Sequence, residues 1–233
     1  MTQFRLEPDF LALFPDATIA IAVVRGFDNT VEDPEIWPML EIEIERAAAS
    51  ANEGEIGQHP AVAPWRAAFA QFGVKPSKYR SSIEAMLRSA QSGRLRSINP
   101  LVDLYNTISL RHQLPVGGED LAKIVGDVRL TRAHGDELFT PLGAEGPETP
   151  PPGAVIYRDD DSVICSCWNW REAERTMLTE GTTEAVLVIE SIPPLDPNAA
   201  RIAIDDLAAL VQRHLGGSAE VFVLNAENPA IEL

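Results

Sequence analysis

At 233 residues the chain can bury a sizeable core, as one large domain or two small ones, and its 45% hydrophobic and 23% charged content is ordinary for a globular protein. No apolar run reaches membrane-span length, and the opening MTQFRLEPDFLALFPDAT carries acids and prolines where a secretory signal needs a basic start, so a soluble, cytoplasmic protein is expected. A net charge of −16 argues against general nucleic-acid binding and makes DNA an unexpected partner.

Residues 17–29, ATIAIAVVRGFDN, are β-branched and small apolar residues closed by a turn cluster, which predicts a strand. Over 34–50, Trp37, Leu40, Ile44 and Ala47 recur at helical spacing. Over 60–72 the same holds for Val62, Trp65, Ala68, Phe69 and Phe72. The run SKYRSSIEAMLRSAQSG predicts a helix capped by Ser77, with Ile83, Met86, Leu87 and Ala90 inward and Gly93 as its stop. Asn99 before Pro100 is a cap followed by a first-turn proline. Leu101, Leu104, Tyr105 and Ile108 then form one apolar stripe, while Val102, Asn106, Ser109 and Gln113 form a neighbouring, more polar one. Pro115 and a glycine turn at Gly117 and Gly118 end this helix, and a short helix over 119–125 is expected next.

From there the pattern changes to strands. VRLTRA (128–133) is one, and PLGAEGPETPPPG (141–153) is an internal loop. AVIYRDDDSVICSCWNW predicts a hairpin turning at Asp159, Asp160 and Asp161, a solvated turn rather than a cation site. EAVLVIESI (184–192) is a continuous apolar run and so a buried central strand. A helix over 198–215, closed by Gly216 and Gly217, and a strand AEVFVLN complete the chain. Helices gather in the first half and strands in the second. The class is α+β, one domain over 1–233 with an N-terminal strand and helices over 1–75 and a core over 76–233.

The common catalytic signatures are missing: no phosphate-binding loop, dinucleotide fingerprint, zinc-protease helix or nucleophile elbow. The four histidines give no ligand spacing, and Cys165 and Cys167 have no third ligand nearby, so they read as packing residues and neither metal nor cofactor is expected. Three features carry potential chemistry. Glu190 ends a buried strand, where it either surfaces or faces a polar pocket. Trp168 and Trp170 share a face if their strand persists, to wall a ligand pocket or to fill a core. Residues 66–111 hold eight cations against two acids, a +6 segment in a chain whose remainder is −22. Its Lys78, Arg80, Arg94 and Arg96 form an RNA-facing surface unless they pair with the protein's own carboxylates.

The run KPSKYRSSIEAMLRSAQSGRLRSINPLVDLYNTISLRHQLPVGGEDL resembles the B3/B4 domain of the phenylalanyl-tRNA synthetase β chain. Ile98-Asn99 stands three residues before Val102-Asp103, and Asn106, Pro115 and Asp120 fall at the family's spacing. VLVIESIPPLDPNAARI is similar to the family's glutamate-bearing strand followed by Asp-Pro and a helix, so the likeness spans residues 75–204. It implies a central β-sheet or sandwich flanked by helices, and an editing site that hydrolyses a mischarged aminoacyl-tRNA through a positioned water. It also implies that Asn106 and Glu190 are the catalytic pair. Tyr105, Ser109, Gly117, Gly118, Trp168 and Trp170 would line the substrate site, and Lys78, Arg80, Arg94 and Arg96 would hold tRNA. The chain departs from the family where Tyr105 replaces a threonine, Gly117 a histidine and Trp168-Asn169-Trp170 a small Met-Gly-Gly segment. Those changes add bulk and remove two polar groups, so a ligand other than tyrosine is expected. Two readings follow: a freestanding aminoacyl-tRNA deacylase, or a non-catalytic module for tRNA, a nucleotide or a small molecule. In the last case an anion would sit at the glycine turn.

Overall fold

The computed structural model describes residues 2–233. It opens with β1 (Gln3–Leu6), α1 (Pro8–Leu11) and β2 (Thr18–Arg25). Four helices follow: α2 (Ile36–Ala51), α3 (Ala63–Gln71), α4 (Ser82–Gln91) and α5 (Pro100–His112). The second half holds β3 (Val116–Asp120), β4 (Val128–Arg132), β5 (Val155–Arg158), β6 (Val163–Ser166), β7 (Arg171–Glu172) and β8 (Glu184–Ser191), then α6 (Ala199–His214), β9 (Ser218–Leu224) and β10 (Ala230–Glu232). The strands form two sheets, a six-stranded one ordered β10-β1-β4-β5-β6-β7 and a four-stranded one ordered β3-β8-β2-β9. The architecture is α+β, as expected, with two sheets flanked by helices.

β2 and β8 lie side by side at the centre of the smaller sheet, antiparallel from Thr18 opposite Ser191 to Arg25 opposite Glu184. Their unbroken apolar sequences have a direct cause: both faces are covered. Ile19, Ile21 and Val23 join one core with Val186, and Ala20, Ala22 and Val24 join a second with Ala185, Leu187 and Ile189. The second core is closed by α5, through Leu101, Leu104 and Ile108, and by α6, through Ala203, Ile204, Leu207 and Val211. Burial of each such leucine or isoleucine stabilises the fold by roughly 1.5–3 kcal/mol. The first core fills the space between the sheets and α2 to α4.

Helix ends follow the local chemistry with one shift. Asn99 caps α5 by accepting from the Val102 N–H at 3.0 Å, with Pro100 in the first turn. α4 is capped by Ser81 rather than Ser77, because Ser81 is the residue whose hydroxyl meets the Glu84 N–H. Gly117 and Gly118 do not form a turn. They lie in β3, paired with Val188 and Leu187 of β8, and the left-handed residue ending α5 is Gln113, φ 55°. The helix expected over 119–125 is a strand end and a single 3-10 turn, Leu121–Lys123, so no helix N-terminus stands there to hold an anion.

The hairpin turn is not solvated throughout. Asp159 is fully buried, accepts from the N–H groups of Val125, Asp161 and Ser162, and pairs with Arg175 at 2.7 Å. Nor does the β6 strand carry through Trp168 and Trp170. It ends at Ser166, and Cys167 (φ 49°) and Trp168 (φ 64°) adopt the left-handed conformation. That costs roughly 1–2 kcal/mol per residue. The turn drives the Trp168 indole into an aromatic cluster with Phe10, Phe14 and Trp65, ring centroids 4.7–5.1 Å away. Trp170 turns the other way and meets Tyr79 edge-on at 4.7 Å. Short segments β1, α1 and β10 have no readable periodicity, yet β1 is the bridge that joins β10 to β4.

The Trp168→Ala substitution should lower unfolding stability by about 3–5 kcal/mol, since it empties the centre of that cluster. Chemical denaturation monitored by circular dichroism measures it; a loss below about 1 kcal/mol would show that the cluster collapses around the gap.

Candidate functional site

A cavity of about 320 Å³ opens between the two sheets and helices α4 and α5. All eight residues expected at the catalytic and substrate site line it: Tyr105, Asn106, Ser109, Gly117, Gly118, Trp168, Trp170 and Glu190. Helical spacing explains the contribution of α5. Its leucine and isoleucine stripe is spent on the second core, so the neighbouring stripe turns Asn106 and Ser109 to the cavity. Ser109 donates to the Leu114 carbonyl at 2.8 Å, which ties down the end of the helix. Asn106 is buried to 8% exposure, and its side-chain amide makes no hydrogen bond among the described residues. Asp103, the one acid of this helix, faces its own entry loop and accepts from Ser97 and the Ile98 N–H.

Glu190 shares a face of β8 with Val186 and Val188, so it points between the sheets instead of surfacing. It is 3% exposed and fully engaged: the Tyr157 hydroxyl donates to Oε1 at 2.6 Å, and Asn169 Nδ2 donates to Oε2. Burial still pushes its carboxyl up to about 7, against the pull of those two donors. The opposite oxygen of Asn169, Oδ1, is enclosed without a partner.

Two further acids line the cavity and carry no signal in the sequence pattern. Glu119 follows Gly118 on β3, and Glu172 lies on β7. Burial pushes Glu172 up to about 7, and burial together with the Glu172 charge holds Glu119 well above the usual carboxylate range. Tyr105 lies beside both; burial first, then those two charges, raises its phenol well above the ordinary value. Glu172 occupies the space a side chain at 117 would need, its Oε1 falling 2.9 Å from an ideal Cβ there. Cys165 is buried with its thiol pushed well up, and burial raises Cys167 to about 12, so neither is a thiolate nucleophile.

The cations divide. Arg66 and Arg88 clasp the fully buried Glu84 at 2.9 Å, and Arg80 reaches it at 3.9 Å. Arg111 pairs with buried Glu43 at 3.0 Å. Lys78, Arg94 and Arg96 are exposed and have no carboxylate within 4.0 Å among the described residues. None of Lys78, Arg80, Arg94 and Arg96 lines the cavity. Lys78 lies 4.9 Å over the ring of Tyr79, which in turn packs on Trp170 at the cavity wall, and Arg171 stands 5.9 Å over Trp170.

A family model described as the B3/4 domain matches residues 64–216. The phenylalanine–tRNA ligase beta subunit of Shewanella oneidensis is 34% identical over 101 residues, 43% of this chain and 12% of that protein. An N-terminal fragment of the phenylalanyl-tRNA synthetase beta subunit from Pyrococcus horikoshii has a similar fold, with a TM-score of 0.50 at 12% identity, over 93% of this chain and 49% of that one. The chain thus corresponds to a part of each relative. Among the described residues, no helix is long and apolar enough to cross a membrane.

Glu190 gives a pH signature. Its folded pKa of about 7 stands above the ordinary 4.5, so between those values the unfolded chain releases a proton that the folded chain keeps. Stability therefore falls as pH rises through this window and levels off above it. Glu190→Gln removes this contribution. Its stability relative to wild type should improve by up to about 3 kcal/mol between pH 4.5 and 7.5, measured by urea unfolding at each pH. A pH-independent difference would place the Glu190 carboxyl in its ordinary range.

Proposed function

The chain belongs to the B3/4 domain family, and from that premise we propose that its cavity receives the aminoacyl end of a charged tRNA and supports hydrolysis of the ester by a positioned water. The observation that supports this reading is the Asn106 side chain: it lines a mainly apolar cavity, makes no protein hydrogen bond among the described residues, and is not enclosed by the fold. An amide that the protein leaves without a partner at a cavity wall can donate to a ligand carbonyl or hold a water. Covalent catalysis lacks an activated nucleophile here, because both thiols are held protonated and Ser109 is committed to Leu114. In the remaining route water attacks the ester carbon, the carbonyl oxygen takes the charge beside Asn106, and the ribose oxygen leaves with a proton. Glu190 acts as a positioning residue, since both its oxygens are spent on Tyr157 and on orienting Asn169.

Outside the cavity, Lys78, Arg94 and Arg96 offer the RNA-facing charge, while Arg80 is shared with Glu84. The −16 net charge opposes this, so binding should be weak and strongly salt-dependent.

The test is a panel of charged tRNAs with binding and ester release followed separately. Wild type should release at least one amino acid. Asn106→Ala should slow that release by about a hundredfold while leaving tRNA affinity within about threefold. A variant with Lys78, Arg94 and Arg96 all changed to alanine should weaken binding and reduce the salt slope by about two to three. Binding without release would remove the hydrolytic step; absence of binding at low salt would remove the RNA reading.

A further inference from the structure

Seven carboxylates are buried among the described residues: Glu43, Glu84, Asp103, Glu119, Asp120, Asp159 and Glu190. Six of them have donors within the fold. Glu43 and Glu84 each hold two arginines, and Asp159 holds Arg175 and three backbone N–H groups. Asp103 accepts from Ser97 and Ile98, Asp120 from Thr182 and Ala122, and Glu190 from Tyr157 and Asn169. Glu119 is the least served, with only the Thr176 hydroxyl beside it. It is 7% exposed, it lines the cavity, and its Oε2 is enclosed without a partner. Glu172, its neighbour on the cavity wall, accepts a single long contact of 3.4 Å from the Gly118 N–H. Arg175, whose charge acts on Glu119, is already hydrogen-bonded to Asp159, Ser162 and the Lys123 carbonyl.

We propose that Glu119 and Glu172 form a subsite for a primary ammonium group, and that the cavity's ligand is an α-amino acyl compound with an apolar side chain. The missing donors define the ligand's charge: Glu84 also has an enclosed oxygen without a partner, but two arginines hold its other oxygen, whereas Glu119 and Glu172 have no ion pair among the described residues and would take a cation from outside. An ammonium supplies three N–H donors from one point, enough to serve both carboxyls. Gly117 keeps the subsite open, because any side chain there would meet Glu172 Oε1. The rest of the cavity matches the same compound. Met86, Val186, Val188 and Trp170 offer apolar wall for a side chain, and Asn106 and Asn169 Oδ1 offer a donor and an acceptor for the acyl group. A divalent metal is a poorer occupant. The residues that come together with metal-ligand geometry are Asp33, Glu35 and His214, and they do not line the cavity.

This inference rests on the aminoacyl reading of the cavity, and its test omits tRNA so that the two fail separately. The full chain is titrated by calorimetry with leucinamide, methioninamide, phenylalaninamide and tyrosinamide, each paired with its N-acetyl form. At least one free amine should bind with a Kd below about 1 mM and its N-acetyl form at least about tenfold more weakly. Glu172→Gln and Glu119→Gln should each weaken the free amine by about tenfold or more while leaving the N-acetyl form within about threefold. Both variants remove a strained charge from a buried place, so they should fold, as thermal unfolding verifies. Equal binding of acetylated and free forms, no binding of any free amine, or unchanged affinity in both variants would overturn the proposal. Amine binding without tRNA binding would sustain it and remove the RNA reading instead.

Discussion

Strand β8 is buried on both faces, and the rest of the site depends on that constraint. A strand with one wet face could have let its terminal carboxylate reach water. Here period-two alternation sends Leu187 and Ile189 to the core beneath α5 and α6, and sends Val186, Val188 and Glu190 to the space between the sheets. A carboxyl in that space needs donors, and the opposite sheet supplies one in the Tyr157 hydroxyl of β5. The bond joins the two sheets across the cavity. Asn169 supplies the second donor, and to bring it there the chain turns through two left-handed residues after β6. Their conformational cost is offset by what the turn accomplishes: it buries the Trp168 indole among three aromatic neighbours and places Asn169 against Glu190.

The distribution of charge follows a similar economy. Residues 66–111 are strongly basic in sequence, but a basic segment is not a basic surface. Glu84 lies at 0% exposure on α4 and gathers Arg66 and Arg88, with Arg80 at longer range. Glu43 takes Arg111. These arginines hold buried acids that would otherwise be uncompensated. What remains for an external phosphate is the exposed set of Lys75, Lys78, Arg94 and Arg96, with Lys78 next to the Tyr79 and Trp170 pair at the cavity wall. The acidic remainder keeps long-range attraction for RNA low, so recognition would rest on short-range contacts near the cavity.

Much of the fold was legible because periodicity reports burial. The i, i+3, i+4, i+7 stripe of α5 and its Asn99-Pro100 start named both its core face and its cavity face, and the unbroken apolar runs of β2 and β8 named strands covered on both sides. The failures have equally local causes. Gly117-Gly118 reads as a turn, yet the glycines serve close approach in a strand, where Leu187 and Glu172 leave no room for a Cβ. Trp168 and Trp170 read as one strand face, because no sequence pattern announces a left-handed backbone at Cys167. β1 and β10 are too short for periodicity and owe their existence to pairing, β10 with β1 and β1 with β4 as well. Glu119 and Glu172 were invisible because their neighbours, β3 and β7, are distant in sequence and are brought together only by the cavity.

Three glutamates of the cavity have the same chemistry and different fates, and the difference lies in their donors. Glu190 is satisfied from within. The phenol of Tyr157 occupies one of its oxygens, so a ligand hydroxyl arriving at that end would have to displace a 2.6 Å hydrogen bond made by the protein itself. Unmet acceptor capacity has moved to the wall formed by β3 and β7, where Gly117 makes the space that Glu172 fills. Gly117 and Glu172 fit together: the Glu172 carboxylate takes the space beside the glycine and would have to shift for a larger residue at 117. The cavity's acids thus lie in two settings: Glu190 with donors on both oxygens, and the β3–β7 wall, where donors are fewest.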